Sequence, residues 1–160
     1  MQTKSIDTPL SEITLRRYEK PYNLSKRELI RKLCLSFGLL NPGDSRDVIV
    51  DVFYVLLVAK QDKKLISSDE VRDLAIEFRK SEGMDDKGCA ASNIRRQIRR
   101  LREVLLVEKV KNNYRVTEFG NLLDVYQDKI EKFFIPSILE RIKEYLENVD
   151  NTFPKKDLKE

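Results

Sequence analysis

The sequence predicts a mostly helical fold that carries a small amount of β-structure. Charged residues make up 36% of the chain and hydrophobic residues 41%, a balance typical of soluble, helix-rich domains. Apolar residues recur at helical spacing along most of the chain. Only five Gly and five Pro occur in 160 residues, which is too few for the many tight turns of a β-sandwich or barrel. The length suits one domain with extensions, or at most two small domains.

The first segment, residues 1–44, is a polar arm followed by a helix. The helix is predicted from Ser25 to Phe37, and Gly38 ends it. The segment also carries a basic patch, interpreted as an ordinary charged helix face, with contact to a nucleic-acid backbone as the alternative. The patch consists of Arg16, Arg17, Lys20, Lys26, Arg27, Arg31 and Lys32.

The second segment, residues 45–120, begins with the most apolar run of the chain, between Val48 and Ala59. Its Val and Ile content would suit a strand, but its length favours a buried helix over 46–60, capped by Asp44 or Ser45. The run is too short to span a bilayer. Ser67 and Glu70 form a capping box for the next helix, whose expected buried residues are Val71, Leu74, Ala75 and Phe78.

A basic helix and a hairpin complete this segment. The helix is predicted over 90–105, with a buried stripe at the spacing of one helix face. Two short runs, 106–111 and 114–117, then flank Asn112 and Asn113, which tolerate the positive φ of a tight turn. The predicted stripe consists of Ile94, Ile98, Leu101 and Leu105.

The third segment, residues 121–150, is helical in pattern, and Pro136 is expected to kink or break it. Its large apolar residues lie on one stripe, which predicts a dimer interface, since so small a domain has little surface with which to cover them. Packing against the same chain is the alternative. The predicted interface residues are Leu122, Tyr126, Ile130, Phe133, Phe134, Ile138 and Ile142. Residues 151–160 form a charged tail.

The order of these elements resembles the winged-helix family, a helix-turn-helix with a β-hairpin wing. The most specific match is the segment Tyr114–Gly120, YRVTEFG. It is similar to the Y-x-L-T-x-x-G segment that closes the wing in many winged-helix transcriptional regulators, with Val116 in place of the usual Leu. The resemblance covers residues 45–120, about half of the chain. It implies that Thr117 caps the following helix and that 90–105 is a DNA-recognition helix.

Charge supports a DNA-binding surface independently of the resemblance. Between Ser92 and Arg115 eight basic and two acidic side chains give a net charge of +6, against +4 for the whole chain. Arginine can grip phosphates or the edge of guanine. The predicted contacts to DNA are Ser92, Asn93, Arg95, Arg96, Arg99 and Arg100 on the helix, and Lys109, Lys111, Asn112, Asn113 and Arg115 on the wing.

The sequence offers nothing for catalysis. It contains no histidine, no nucleophile motif, no phosphate-binding loop and no set of zinc ligands, so we expect no enzyme, no metal and no cofactor. Cys34 and Cys89 form no CxxC pair and are expected to be inert, reduced thiols of a cytosolic protein. The N-terminus lacks the apolar run of a signal peptide, which predicts a cytoplasmic location, on the nucleoid in a prokaryote.

The leading hypothesis is a sequence-specific, dimeric transcriptional regulator whose partners are double-stranded DNA and a second copy of itself, with no membrane. A replication or partition protein of a mobile element is a close variant. The alternative from another class is a winged-helix module for protein–protein interaction, because the fold alone does not fix the function. The sequence does not identify an operator or an effector, and it does not distinguish repression from activation.

Overall fold

The computed structural model describes residues 7–156, and the fold is mostly helical with a small three-stranded antiparallel sheet. A 3₁₀ turn, Thr117–Phe119, follows the last strand, and a π-helical segment, Tyr126–Phe134, joins the last two helices. The elements are α1 Lys26–Ser36, α2 Val48–Gln61, β1 Ile66–Ser67, α3 Ser68–Ser81, α4 Ala91–Glu103, β2 Val107–Val110, β3 Asn113–Val116, α5 Leu122–Val125 and α6 Ile135–Thr152.

Helix α2 is the centre of the core, as its apolar sequence predicts. Nine of its fourteen residues are buried, and α1, α3 and α4 pack around it. The helix begins at Val48, and the cap position is Asp47 rather than Asp44 or Ser45. The Asp47 side chain does not cap the helix, because it is bound to arginines of neighbouring elements.

The two capping boxes in the chain set the starts of α1 and α3. Ser67 and Glu70 form the predicted box at α3, and Ser25 and Glu28 form an equivalent one at α1. Val71 and Ala75 of α3 are fully buried, as predicted. Leu74 is exposed, a correction that follows from its place on the outer edge of the apolar stripe.

The sheet has the strand order β1-β3-β2, so the hairpin β2–β3 gains a third strand that sequence patterning did not predict. Strand β1 has two residues, too few to show alternation, and Ile66 pairs with Tyr114. The hairpin loop is Lys111–Asn112 rather than Asn112–Asn113, since Asn113 pairs with Val110. This register keeps the opposed pair Val107 and Val116 in the core, and a slip of one residue would turn both outward.

A buried charge cluster fastens α1 and α3 to α2. Asp51, fully buried on α2, accepts from Arg27 Nε at 3.0 Å and from Arg79 Nη1 at 2.7 Å. Asp47 accepts from Arg27 Nη1 at 3.1 Å. Burial alone would raise the pKa of Asp47, but hydrogen bonds and charge from Arg27 and Arg79 hold the pKa of that carboxyl below its usual value. The cluster is thus a fully paired ionic contact between three helices.

The N-terminal arm lies in extended conformation across the end of α1. Arg16 Nη1 donates to the carbonyl oxygens of Leu35 at 2.9 Å and Leu40 at 3.1 Å, which satisfies groups at the C-terminal end of the helix. Most of the basic patch in this segment is used structurally in the same way: Arg27 and Arg31 bind Asp47, and Lys32 binds Glu19. Only the remaining part of the patch, Arg17, Lys20 and Lys26, is an exposed cationic surface.

The C-terminal segment divides into a packed half and an exposed half. Ile130 is fully buried in the core, and Leu122 and Tyr126 pack against it, so the prediction that these residues form a dimer interface is wrong for Ile130. Packing on the same chain, the alternative, holds for this half. No residue of α6 is buried, and Phe133 is 71% exposed.

Pro136 does not break the C-terminal helix, contrary to expectation. It lies in the first turn of α6, where a missing backbone N–H is tolerated, and the π-helical segment before it absorbs the change in hydrogen-bond spacing. Across residues 7–156, no helix has both the length and the apolar character needed to cross a membrane.

Candidate nucleic-acid interface

Helix α4 is held in the core by one face and presents arginines on the other. Ile94, Ile98 and Leu101 are almost completely buried, as predicted, whereas Leu105 lies beyond the helix in a turn with φ of 66°. At 100° per residue, Arg96 and Arg99 project opposite that stripe, and both are exposed. Ser92, Arg95, Arg96 and Arg99 form what we call the arginine face.

The arginine side chains of this face bind no other polar group in the part of the chain that the structure describes. Between residues 7 and 156, no hydrogen bond or ion pair involves the side chain of Arg95, Arg96 or Arg99. The side chains of Arg16, Arg27 and Arg79 are each bound by other groups. Three uncompensated guanidinium groups within two turns repel one another, which is a cost that an anionic partner removes.

A hydrogen-bond chain along one flank of α4 fixes its position. Asn93 donates to the Gly88 carbonyl at 2.6 Å and accepts from Gln97 at 2.9 Å. Arg100 donates to Gln97 at 3.1 Å and to the Gly38 carbonyl at 3.4 Å. Asn93 and Arg100, predicted to contact DNA, are therefore half-buried groups that bridge α4 to the turns on either side of it.

Gln97 is the member of this chain that sequence reasoning missed. A single Gln among arginines gives no signal by itself. Its spacing of four residues from Asn93 and three from Arg100 is the pattern that could have identified it, because residues at those separations are neighbours on a helix.

The hairpin adds two exposed lysines beside α4. Lys109 and Lys111 are exposed, as is Asn112 in the loop between the strands. Lys111 has φ of 57°, in the left-handed region that residues other than glycine seldom adopt. This conformation turns the chain from β2 into β3. The hairpin tip is therefore both cationic and accessible.

Arg115 and Arg102 serve the base of the hairpin. Arg115 is half-buried, with Nη2 at 3.5 Å from Glu108 Oε2 and its guanidinium 4.8 Å from the centre of the Phe119 ring. Arg102 lies over the Tyr114 ring at 6.0 Å. Asn113, in strand β3, is also half-buried. Arg115 and Asn113 both take part in the hairpin's own structure, and their contact with DNA stays a prediction.

The YRVTEFG segment closes the hairpin onto the end of α4. Thr117 is buried, its hydroxyl donates to the Leu105 carbonyl at 2.7 Å, and its amide donates to the Leu106 carbonyl at 3.1 Å. The expectation that Thr117 caps the next helix is therefore wrong, and Asn121 holds that position. The segment ties β3 to the loop after α4, which fixes the hairpin relative to the arginine face.

The two cysteines lie in the core as unpaired thiols. Burial raises the pKa of the Cys34 thiol to about 12 and raises that of Cys89 above its usual value, so thiolate is scarce at neutral pH and both side chains are unreactive. Within residues 7–156, no three acidic or cysteine side chains are grouped as a metal site would require.

Comparisons of this chain with protein-family models, with curated proteins and with solved structures find no match. The geometry and charge of the surface are therefore the basis on which its function is inferred.

Proposed function

We propose that this protein binds double-stranded DNA through the arginine face of α4 and the tip of the β2–β3 hairpin, as a sequence-specific regulator that acts as a dimer. The observation that carries the proposal is the contrast among arginines. The arginines of α1 and α3, and Arg16 of the N-terminal arm, are bound internally, while Arg95, Arg96 and Arg99 point outward from one helix.

The arrangement of elements supports the winged-helix interpretation. Two helices, α3 and α4, are joined by the nine residues 82–90 and followed at once by the β2–β3 hairpin, which is the order on which the resemblance rests. In this interpretation α4 enters the major groove, where an exposed helix face of this width fits. The hairpin then lies along the adjacent backbone.

The side chains divide between reading bases and holding phosphates. Arg96 and Arg99 occupy the apex of the arginine face, where a guanidinium can bind guanine O6 and N7 together. Lys109 and Lys111 act as point charges on phosphates, which position the protein without reading sequence. The polar chain through Gln97 keeps α4 in the orientation that this division requires.

Binding of the purified protein to labelled duplexes, measured at several salt concentrations, tests the proposal. With about six to ten phosphate contacts per dimer, affinity should fall by about 10³–10⁵ between 50 and 200 mM salt. An affinity that is absent or independent of salt would reject DNA binding and favour a protein-interaction module.

The paired substitution Lys109→Ala with Lys111→Ala tests the role of the hairpin. Affinity should fall by a similar factor for every duplex, and the slope of log K against log salt should decrease by about 4, since two phosphate contacts are removed from each of the two subunits. The same double loss of charge at Lys132 and Lys155, both exposed on the C-terminal segment, should leave the slope unchanged. A loss confined to one sequence would show that the hairpin reads bases.

A further inference from the structure

Helix α6 exposes an apolar face that the rest of the described chain does not cover. It has 18 residues, none of them buried, and Tyr145 is 70% exposed. Its apolar positions leave several hundred Å² of surface in one stripe, on the order of the largest patch that monomeric proteins expose. Ile135, at the start of α6, packs against the core, and the stripe that follows it consists of Ile138, Leu139, Ile142, Tyr145, Leu146 and Val149.

The spacing of the stripe identifies the kind of partner. The residues repeat every seven positions, as those of a coiled-coil seam do, and apolar e positions widen the stripe on one side. A coiled-coil seam is filled by another helix with the same repeat. In heptad letters, position a holds Ile135, Ile142 and Val149, position d holds Ile138, Tyr145 and Thr152, and position e holds Leu139, Leu146 and Phe153.

We infer that the stripe binds α6 of a second copy of this chain, with the two helices antiparallel. In an antiparallel pair the e positions face one another, so Leu139 meets Leu146 of the other copy. A parallel pair would place Leu146 against the flanking position that Arg141 occupies, and an apolar group would face a charge. The apolar e positions therefore favour the antiparallel pair.

The charges outside the stripe favour the same direction. Residues 135–143 carry Glu140, Arg141 and Lys143, a net charge of +1, and residues 144–152 carry Glu144, Glu147 and Asp150, a net charge of −3. Antiparallel helices bring the basic half of one copy beside the acidic half of the other, whereas parallel helices set like charges at the same level.

The register follows from matching a with d positions. Ile142 pairs with Tyr145, Ile138 with Val149, and the twofold axis passes between residues 143 and 144. The interface is self-complementary, so it closes at two copies rather than growing into a filament.

This inference deepens the proposed function. The pairing of the two helices does not depend on DNA binding, and only the use of the dimer to bind one duplex rests on the proposed function. A helix of 18 residues is about 27 Å long. Antiparallel pairing separates the two globular bodies by a distance of that order, which is comparable to the roughly 34 Å between half-sites one turn apart on DNA. Two arginine faces would then act on one duplex.

Sedimentation equilibrium without DNA tests the dimer apart from DNA binding. The wild type should be a dimer, and Ile142→Glu should weaken dimerisation at least about 100-fold, because it buries an unpaired charge at the centre of the seam. Asn151→Glu, which adds the same side chain on the outer face, should remain dimeric. Since α6 holds no buried residue, both variants should fold. A monomeric wild type, or a dimer that survives Ile142→Glu, would overturn the inference.

Disulfide trapping tests the direction. Ile138→Cys and Val149→Cys should each fail to cross-link alone, since equal positions lie about 16 Å apart along the axis of an antiparallel pair. A mixture of the two variants should cross-link readily. The natural cysteines are buried, so the wild type is a clean control. Cross-linking within either single variant would show a parallel pair and overturn the assigned direction.

Discussion

At the scale of single residues, the two arginines at the apex of α4 should determine sequence preference. Arg96→Ala or Arg99→Ala should leave the free energy of unfolding within about 0.5 kcal/mol of wild type, because both side chains are exposed. Each should cost about 1–3 kcal/mol of binding to the preferred duplex if the guanidinium holds a guanine. Binding to unrelated duplexes should fall less, because one charge among many is lost.

Arg102 is the matched control for this prediction. It is exposed and of the same type, but it lies on the flank of α4 over the Tyr114 ring. Arg102→Ala should reduce binding to the preferred duplex less than the other two substitutions do. The opposite order of effects would mean that a different face of α4 meets the bases.

Asp51 should be the polar residue on which folding depends most. It is fully buried and holds Arg27 and Arg79, so Asp51→Asn would remove the nearer of the two carboxylates that neutralise these arginines and leave Asp47 to balance both. Removal of one partner from a buried pair typically costs about 3–5 kcal/mol. Denaturant unfolding measures this cost directly. Asp62→Asn, at the exposed end of α2, should cost less than about 0.5 kcal/mol, and equal effects at the two sites would contradict the structural role of the cluster.

Asp47 should make stability fall in acid. Its pKa is lower in the folded protein than its usual value, so its contribution is complete above the unfolded pKa of about 3.9 and is lost as pH falls through the folded pKa. Unfolding free energies measured from pH 7 to pH 2 should therefore drop most steeply below about pH 4. Asp47→Asn should flatten that drop. An acid limb unchanged by the substitution would mean that other carboxyl groups produce it.

At the scale of elements, alanine substitutions at two glycines test whether the N-terminal arm packs against the turn after α1. Gly38 has φ of 67°, and a Cβ there would overlap Thr14 Cβ, whereas Gly43 has φ of 85° and open space around it. Gly43→Ala should cost about 1–2 kcal/mol from backbone strain alone. Gly38→Ala should cost more, since it also displaces the arm.

Thermal unfolding of both variants and of a rescue variant separates these two causes. Thr14→Gly combined with Gly38→Ala removes the clash and should bring the cost back to that of Gly43→Ala. If Gly38→Ala and Gly43→Ala lower the stability equally, the N-terminal arm does not pack against the turn at Gly38. Because Arg100 also donates to the Gly38 carbonyl, displacement of this turn should reduce DNA binding as well.

At the scale of the whole molecule, the sequence predicted the helices better than the contacts between them. Regular patterns carried the correct predictions: the stripe Ile94–Ile98–Leu101 and the capping box at Ser67 each have a strong local cause. Strand β1 escaped detection because two residues show no period. The hairpin turn was misplaced by one residue because tertiary burial of Val107 and Val116, and not the turn chemistry of Asn, sets the register.

The candidate site shows the same division. Periodicity placed Arg96 and Arg99 on the exposed face, but it could not show that Arg100 and Arg115 are held by internal partners. Some of those partners are close in sequence, Gln97 and Glu108, but Gly38 is distant from α4 and Phe119 lies beyond the hairpin. Charge alone does not distinguish a free arginine from a bound one, and only the packing does so.

The C-terminal segment should stabilise the monomer with its first half and the dimer with its second half. Ile130 is fully buried and Ile142 is largely exposed, so the same substitution to alanine should act differently at the two positions. Ile130→Ala should cost about 2–5 kcal/mol and lower Tm by about 5–15 °C at every protein concentration. Association adds to stability by mass action, so Tm of both the wild type and Ile130→Ala should rise with concentration. Ile142→Ala should match the wild type in dilute solution and lose most of that rise.

A lowered Tm for Ile142→Ala under dilute conditions would mean that α6 packs against its own chain. A Tm of the wild type that does not change with concentration would mean that α6 pairs with no second copy.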